Sequence, residues 1–274
     1  MSRIGCHVSI AGGVINAPQR AADLGCEVFQ MFTRSPQGGP APKIDAEVIK
    51  KFKEEMAKHG QANCYIHAPY YINFASANEA TRKASIRVIR EELERGSLLG
   101  AKCLMTHLGS SKDISREEAL NSTTQAIAEV MENYKGSTEF LLEISAGAGN
   151  TIGNTFEELE QIMGDNEHIS VCLDSAHMFA GGYDIKTEDG MRNTMEIIRS
   201  TVGIDRVKLI HANDSKVGLG EKKDRHDHIG DGKIGIEGFK NLIKSFPEID
   251  FILETKHDKV VEDIKKLKEM RNKK

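Results

Sequence analysis

The sequence predicts one (β/α)8 barrel, a TIM barrel running as a single domain through residues 1–274. Three observations carry this. Eight short apolar runs recur along the chain, longer amphipathic segments separate them, and each run-plus-segment unit takes roughly 34 residues, a spacing that suits right-handed βαβ crossovers. Eight such units favour a closed barrel over an open doubly wound sheet, which is the alternative reading.

In chain order the runs are 4–10, 27–32, 63–67, 102–107, 139–143, 169–174, 207–211 and 251–254. All are rich in Val, Ile, Leu or Phe and too short for helices, so each reads as a strand. The segments between them carry helical periodicity. Ser115 followed by Glu118, and Thr155 followed by Glu158, have the spacing of a capping box. The last segment, 259–274, is basic at its end, as a helix C-terminus prefers. Two connections are long: 33–43, rich in Pro and Gly, and 212–235, rich in charge and histidine. Long connections in compact folds are often functional.

Composition narrows the class. Hydrophobic residues are 39% and charged residues 28%, ordinary values for a globular chain, and no apolar stretch is long enough for a membrane span. The first expected strand leaves no room for a secretory leader, so the expectation is a cytoplasmic protein. The five cysteines (Cys6, Cys26, Cys64, Cys103, Cys172) are scattered and lack metal-ligand spacing; they read as buried reduced thiols. A net charge of -4 argues against a nucleic-acid partner unless bound cations reverse the local field. Trp is absent, so any stacking on bases falls to Tyr or Phe.

The expected strands end on a pattern. The third ends in His67, the fourth in His107, the fifth in Glu143, the sixth in Asp174, the seventh in His211 and the eighth in Glu254. Barrel enzymes build their active sites at this C-terminal rim. One such residue after a strand is an ordinary rim residue or helix cap; six in succession are not. His177 lies three residues beyond Asp174 on the loop expected after the sixth strand, and Asp224 and His226 stand two apart in a second loop. Histidine and carboxylate donors without thiolate suit zinc or manganese. Several carboxylates facing one cleft repel unless cations lie between them, which points to more than one ion. Of the other histidines, His7 is open between a supporting and a core role, His59 and His168 read as surface residues, and His228 as a neighbour of the Asp224 cluster.

Longer stretches are more specific. They are Gly5-Cys6-His7-Val8-Ser9-Ile10-Ala11-Gly12-Gly13, Asp174-Ser175-Ala176-His177-Met178-Phe179-Ala180-Gly181-Gly182-Tyr183-Asp184, His211-Ala212-Asn213-Asp214-Ser215-Lys216, Asp224-Arg225-His226-Asp227-His228-Ile229-Gly230-Asp231-Gly232 and Ile252-Leu253-Glu254-Thr255. Over its whole length the chain resembles endonuclease IV, the zinc-dependent apurinic/apyrimidinic endonucleases. The resemblance implies three zinc ions. His67, His107 and Glu143 would bind one; Glu143 would bridge to a second, completed by Asp174, His211 and Glu254; His177, Asp224 and His226 would hold the third. Three divalent ions would carry the formal charge from -4 to about +2, concentrated at the cleft.

The activity implied is hydrolysis of the phosphodiester 5′ to an abasic site in double-stranded DNA, with removal of blocked 3′ ends, by a monomer. The catalytic bridge would be Glu143. Tyr70 matches the family's wedge position. Gln37 stands where an Arg is usual, and Ile144-Ser145 where Asn-Thr is common. Competing readings are a one-metal sugar isomerase or epimerase, using only Glu143, Asp174, His211 and Glu254, and a non-catalytic DNA- or partner-binding barrel.

Overall fold

The computed structural model describes residues 1–273. In chain order the elements are β1 (Ile4–His7), α1 (Ala17–Asp23), β2 (Val28–Met31), α2 (Ala46–Lys58), β3 (Cys64–His67), α3 (Glu79–Leu99), β4 (Cys103–Thr106), α4 (Arg116–Met131), β5 (Glu139–Glu143) and α5 (Phe156–Met163). Then come β6 (Ile169–Asp174), α6 (Ser175–Gly181), α7 (Glu188–Ser200), β7 (Val207–His211), β8 (Asp214–Ser215), β9 (His226–Asp227), α8 (Gly235–Ser245), β10 (Asp250–Leu253) and α9 (Val260–Asn272). Eight parallel strands close in the order β1-β10-β7-β6-β5-β4-β3-β2, and β8 and β9 form a separate antiparallel ribbon. The barrel, not the open sheet, is the fold.

All eight expected strands are present, several with shifted ends. The first stops at His7 and not at residue 10, because the chain turns through Gly12 and Gly13 at positive φ into a short 3-10 turn. His107 and Glu254 fall one residue past β4 and β10. Ser115 and Glu118 form a complete capping box. At α5, Thr155 caps Glu158 as expected, but the Glu158 carboxylate turns back to the amides of Gly153 and Asn154, so that box is not reciprocal. The 212–235 connection is no plain loop, since it carries the β8–β9 ribbon.

Two apolar cores result from strand alternation. Between strands and helices lies the larger one, with Phe29, Phe52, Phe140, Phe156, Phe239 and Phe251 fully covered. Inside the barrel lies a small one: Val28, Tyr65, Cys103, Met105, Leu141, Cys172, Leu209 and Ile252. All five cysteines are free and buried. Gly5 of β1 has no room for a side chain against β2, because a Cβ there would meet the Val28 carbonyl oxygen at 1.7 Å. No helix among the described residues is long and apolar enough to cross a membrane.

The 33–43 connection is anchored by charge. Glu92 of α3 is fully buried and accepts from Thr33 Oγ1 and Arg34 Nε, each at 2.6 Å. Arg95, one turn on, donates to the carbonyls of Thr33 and Pro42 at 2.7 and 2.8 Å. Removing one member of such a group leaves buried charge unpaired. Glu92→Ala is expected to cost about 3–5 kcal/mol, read as a lower urea midpoint; a shift below about 1 kcal/mol, the size of an exposed ion pair, would show that the anchor carries little stability.

Candidate metal centre

Strand alternation determines which side chains reach the mouth of the barrel. The inner core residues Tyr65, Met105, Leu141, Cys172, Leu209 and Ile252 are each followed, two positions later, by His67, His107, Glu143, Asp174, His211 and Glu254. Two positions return a strand to the same face, so these six side chains form a polar layer directly above the apolar one. Val28 is followed in the same way by Gln30.

The remaining expected residues arrive by other routes. His177 is not on a loop, as its place in the sequence suggested. It sits in the first turn of α6, buried, because the Asp174 carboxylate caps that helix through the His177 amide at 2.8 Å. His226 lies on β9, and Asp224 precedes it, half exposed. His226 Nε2 and Asp224 Oδ2 approach His177 Nε2 at 3.4 and 3.3 Å.

The donor atoms gather in three overlapping groups: His67, His107 and Glu143; Glu143, Asp174, His211 and Glu254; and Asp174, His177 and His226, with Asp224 against the last two. Glu143 belongs to two of them. Its Oε1 lies 3.0 Å from His211 Nδ1, while its Oε2 is buried without a hydrogen-bond partner, 3.3 Å from His107 Nε2. An orphaned, buried carboxylate oxygen is costly unless a cation shares it.

Imidazole orientation fits the same purpose. His67 Nδ1 is 2.5 Å from the Ala68 carbonyl oxygen, and His177 Nδ1 is 3.0 Å from that of Ile144. Carbonyls only accept, so both Nδ1 atoms carry hydrogen and leave Nε2 for the cleft, the arrangement typical of histidine metal ligands. The Ile144 contact uses the backbone, so an unusual side chain there leaves His177 undisturbed. Nitrogen and oxygen donors without thiolate complete the fit to zinc or manganese.

Electrostatics show how strongly the groups interact. Burial raises the Glu143 carboxyl, but the His107 and His211 charges outweigh it and hold it at about 2. Burial lowers the His177 imidazole, but the Asp174 charge and the hydrogen bond to Asp224 push it up to about 10. Burial likewise works against Glu254, whose carboxyl the His211 and His67 charges hold well below its ordinary value.

Beside these groups opens a cleft of about 400 Å³, lined by Tyr70, Tyr71, His107, Ser145, His177 and Asp224 among others. Tyr70 is 67% exposed. Its ring leans edge-on against Phe32 and His67, with centroids 5.3 and 5.7 Å away. Its amide donates to the Pro36 carbonyl at 3.2 Å, which sets it beside the loop that exposes Gln37. Arg34, in that loop, is turned inward onto Glu92 and is not offered to the cleft.

The other histidines divide. His7 supports the site through Gln30. His168 is exposed as expected, but His59 is largely covered, with Nε2 3.2 Å from Glu55. His228 is no part of the Asp224 group: it bonds Asp263 at 2.7 Å and faces Asp258 at 3.2 Å. Sequence reasoning missed Gln30, Asn213 and Asp214. Asn213 donates to Asp174 at 2.6 Å and accepts from the Glu254 amide at 2.9 Å, and Asp214 takes the amides of Gly230 and Ile234. For Gln30, the signal was a lone amide inside an otherwise apolar strand.

A closed barrel whose mouth gathers nine histidine and carboxylate side chains that could hold metal has the build of a barrel enzyme, and the comparisons support an enzyme on this barrel. Residues 18–272 match the family described as a xylose isomerase-like TIM barrel. A protein of Aquifex aeolicus called probable endonuclease 4 is 43% identical over 260 residues, covering 93% of this chain and 92% of that one. Its namesake in Halothermothrix orenii is 38% identical, with 92% and 93% covered. The crystal structure of endonuclease IV from Thermus thermophilus superposes with a TM-score of 0.86 at 31% identity, covering 98% and 97% of the two chains. A D-tagatose 3-epimerase-like structure, at a TM-score of 0.71 and 21% identity, shares the fold. The chain belongs to the endonuclease IV family.

Metal bound only by the folded protein stabilises it, by about 2.7 kcal/mol per ion at a free concentration 100 times its Kd. Chelation is therefore expected to lower the thermal midpoint, and added zinc to restore it. A midpoint indifferent to both would show that the cluster holds no ion.

Proposed function

We propose that this enzyme is a DNA-repair endonuclease that hydrolyses the phosphodiester 5′ to an abasic site, leaving a 3′-hydroxyl and a 5′-deoxyribose phosphate, and that it also clears blocked 3′ ends. The observation that carries the reading is the convergence of all nine donors on one rim, with Glu143 common to two of the three groups. Zinc suits this donor set, with three ions per chain. His67, His107 and Glu143 would hold the first, Glu143, Asp174, His211 and Glu254 the second, and His177, Asp224 and His226 the third. When bound, zinc supplies charge that neutralises the phosphate and acidifies water enough to attack at neutral pH.

The chain's own residues do the rest. Glu143, buried and flanked by His107 and His211, holds the two inner groups in fixed relation. The open cleft beside His107 and His177 offers room for the extruded sugar-phosphate. An abasic nucleotide leaves the stack at reduced cost because it has no base to unpair. Tyr70, exposed at the rim, is placed to fill the gap, with Gln37 on the adjoining loop facing the duplex. The protein would act as a monomer. Five free thiols fit a reducing cytoplasm.

A one-ion sugar epimerase would need only Glu143, Asp174, His211 and Glu254. It gives no account of His67, His107, His177, Asp224 and His226, which meet the same rim. Elemental analysis after zinc reconstitution is expected to give close to three ions per chain, and one ion would favour the epimerase. Glu143→Ala should nearly abolish incision of abasic duplex while circular dichroism stays unchanged; incision within tenfold of the parent would remove Glu143 from this role. Tyr70→Ala should weaken binding to abasic DNA by tenfold or more, consistent with about 1–3 kcal/mol for a stacked base, at constant zinc content. Parental binding would place the wedge elsewhere.

A further inference from the structure

We propose that Gln30 is a positioning residue of the metal centre: one buried amide that decides which nitrogen of His211 faces the cleft and holds Glu254 beside it. The inference rests on the metal-centre reading above. Gln30 is fully buried in β2, between Phe29 and Met31, where an aliphatic side chain would match its neighbours. A buried amide is costly unless its hydrogen bonds are made. Here both N–H groups and the oxygen are engaged. Nε2 donates to Glu254 Oε1 at 2.7 Å and meets His7 Nδ1 at 3.1 Å, and Oε1 lies 2.9 Å from His211 Nε2.

The order of these contacts gives them a direction. A carboxylate only accepts, so Glu254 fixes the amide with its nitrogen inward and its oxygen toward His211. An amide oxygen also only accepts, so His211 must carry hydrogen on Nε2. That leaves His211 Nδ1 as the atom turned to Glu143 Oε1 at 3.0 Å and Glu254 Oε2 at 3.3 Å. His7 stands opposite Gln30 in the β1–β2 register and offers Nδ1 as acceptor for the second amide hydrogen. The His7 ring is itself held, packed on Phe32 at 4.5 Å, while its carbonyl oxygen receives His257 Nε2 at 3.0 Å. Thus two ligand residues of one group, His211 and Glu254, are oriented by a single side chain from a strand that supplies no ligand.

Gln30→Leu tests this, since leucine fits the strand pattern and cannot hydrogen-bond. Zinc affinity is measured by chelator competition, stability by the unfolding midpoint of metal-stripped protein, and the His211 ring by ¹⁵N chemical shifts. One of the bound ions is expected to lose 10–100-fold in affinity, as for other partners that orient a metal-bound histidine. The others should keep theirs, the stripped midpoint should hold or rise, and His211 should cease to show a single Nε2–H form. Parental affinity for every ion, or a fall in the stripped midpoint alone, would overturn the proposal and leave Gln30 a packing residue. If Gln30→Leu does not fold, Gln30→Glu carries the test: it retains an acceptor for His211 but sets a like charge against Glu254, and the same ion should weaken, unchanged affinity again overturning the proposal. A parent chain that binds no zinc would instead sink the metal-centre reading, a distinct result.

Discussion

The buried carboxylate of Glu143 is the constraint around which this structure is organised. It is fully enclosed, shares one oxygen with His211, and leaves the other without a hydrogen bond beside His107. Asp174 and Glu254 add two more carboxylates to the same group. So much negative charge at the top of an apolar barrel is unstable alone. The surrounding imidazoles compensate part of it, and cations are the natural remainder. The strands, which end where this layer begins, are the means by which six chain segments bring their histidines and carboxylates to one place.

What makes the layer functional is that its members are individually held. Asp174 caps α6 and accepts from Asn213; His67 and His177 are tied to carbonyls of their neighbours; His211 is oriented through Gln30. The β8–β9 ribbon brings His226 across to His177, and the buried Asp214 carboxylate gathers the amides of the following turn so that the ribbon stays in place. Preorganised ligands of this kind lose little freedom on binding metal. Beside them the surface changes character: Tyr70, Gln37 and Asp224 are exposed, on segments that border an open cleft. The donors are held rigidly and the rim beside them is exposed, so the proposed roles of hydrolysis and substrate recognition would fall to different parts of one surface.

Much of this was legible in the sequence, because two periodicities do most of the work. The apolar runs gave eight strands, and the residues ending six of them gave the polar layer; a two-residue step from inner core to rim is enough to place His67, His107, Glu143, Asp174, His211 and Glu254 together. The resemblance to endonuclease IV supplied the grouping of the ligands, which spacing alone left open. Positions that depend on irregular chain were not legible. His177 was read as a loop residue, since nothing local announces that Asp174 both ends a strand and caps a helix. His228 stands in the same histidine-rich stretch as His226, yet a tertiary partner, Asp263, takes it out of the site. Arg34 lies in one of the two long connections, and only the fold reveals Glu92 beneath it.

What this chain shares with a D-tagatose 3-epimerase-like structure is the barrel. Fold likeness at 21% identity shows the barrel alone, while the geometry of this chain shows which segments carry donors beyond the inner group of Glu143, Asp174, His211 and Glu254. His67 and His107 come at no structural cost, because they continue the inward registers of β3 and β4. His177, Asp224 and His226 require more: a helix started by a ligand carboxylate, and a ribbon long enough to reach over it. With them the nine donors spread across the barrel mouth and not over the inner group alone. The acidic net charge is then no obstacle to a polyanionic substrate, since cations held at the cleft would set the field it meets, and not the sum over the chain.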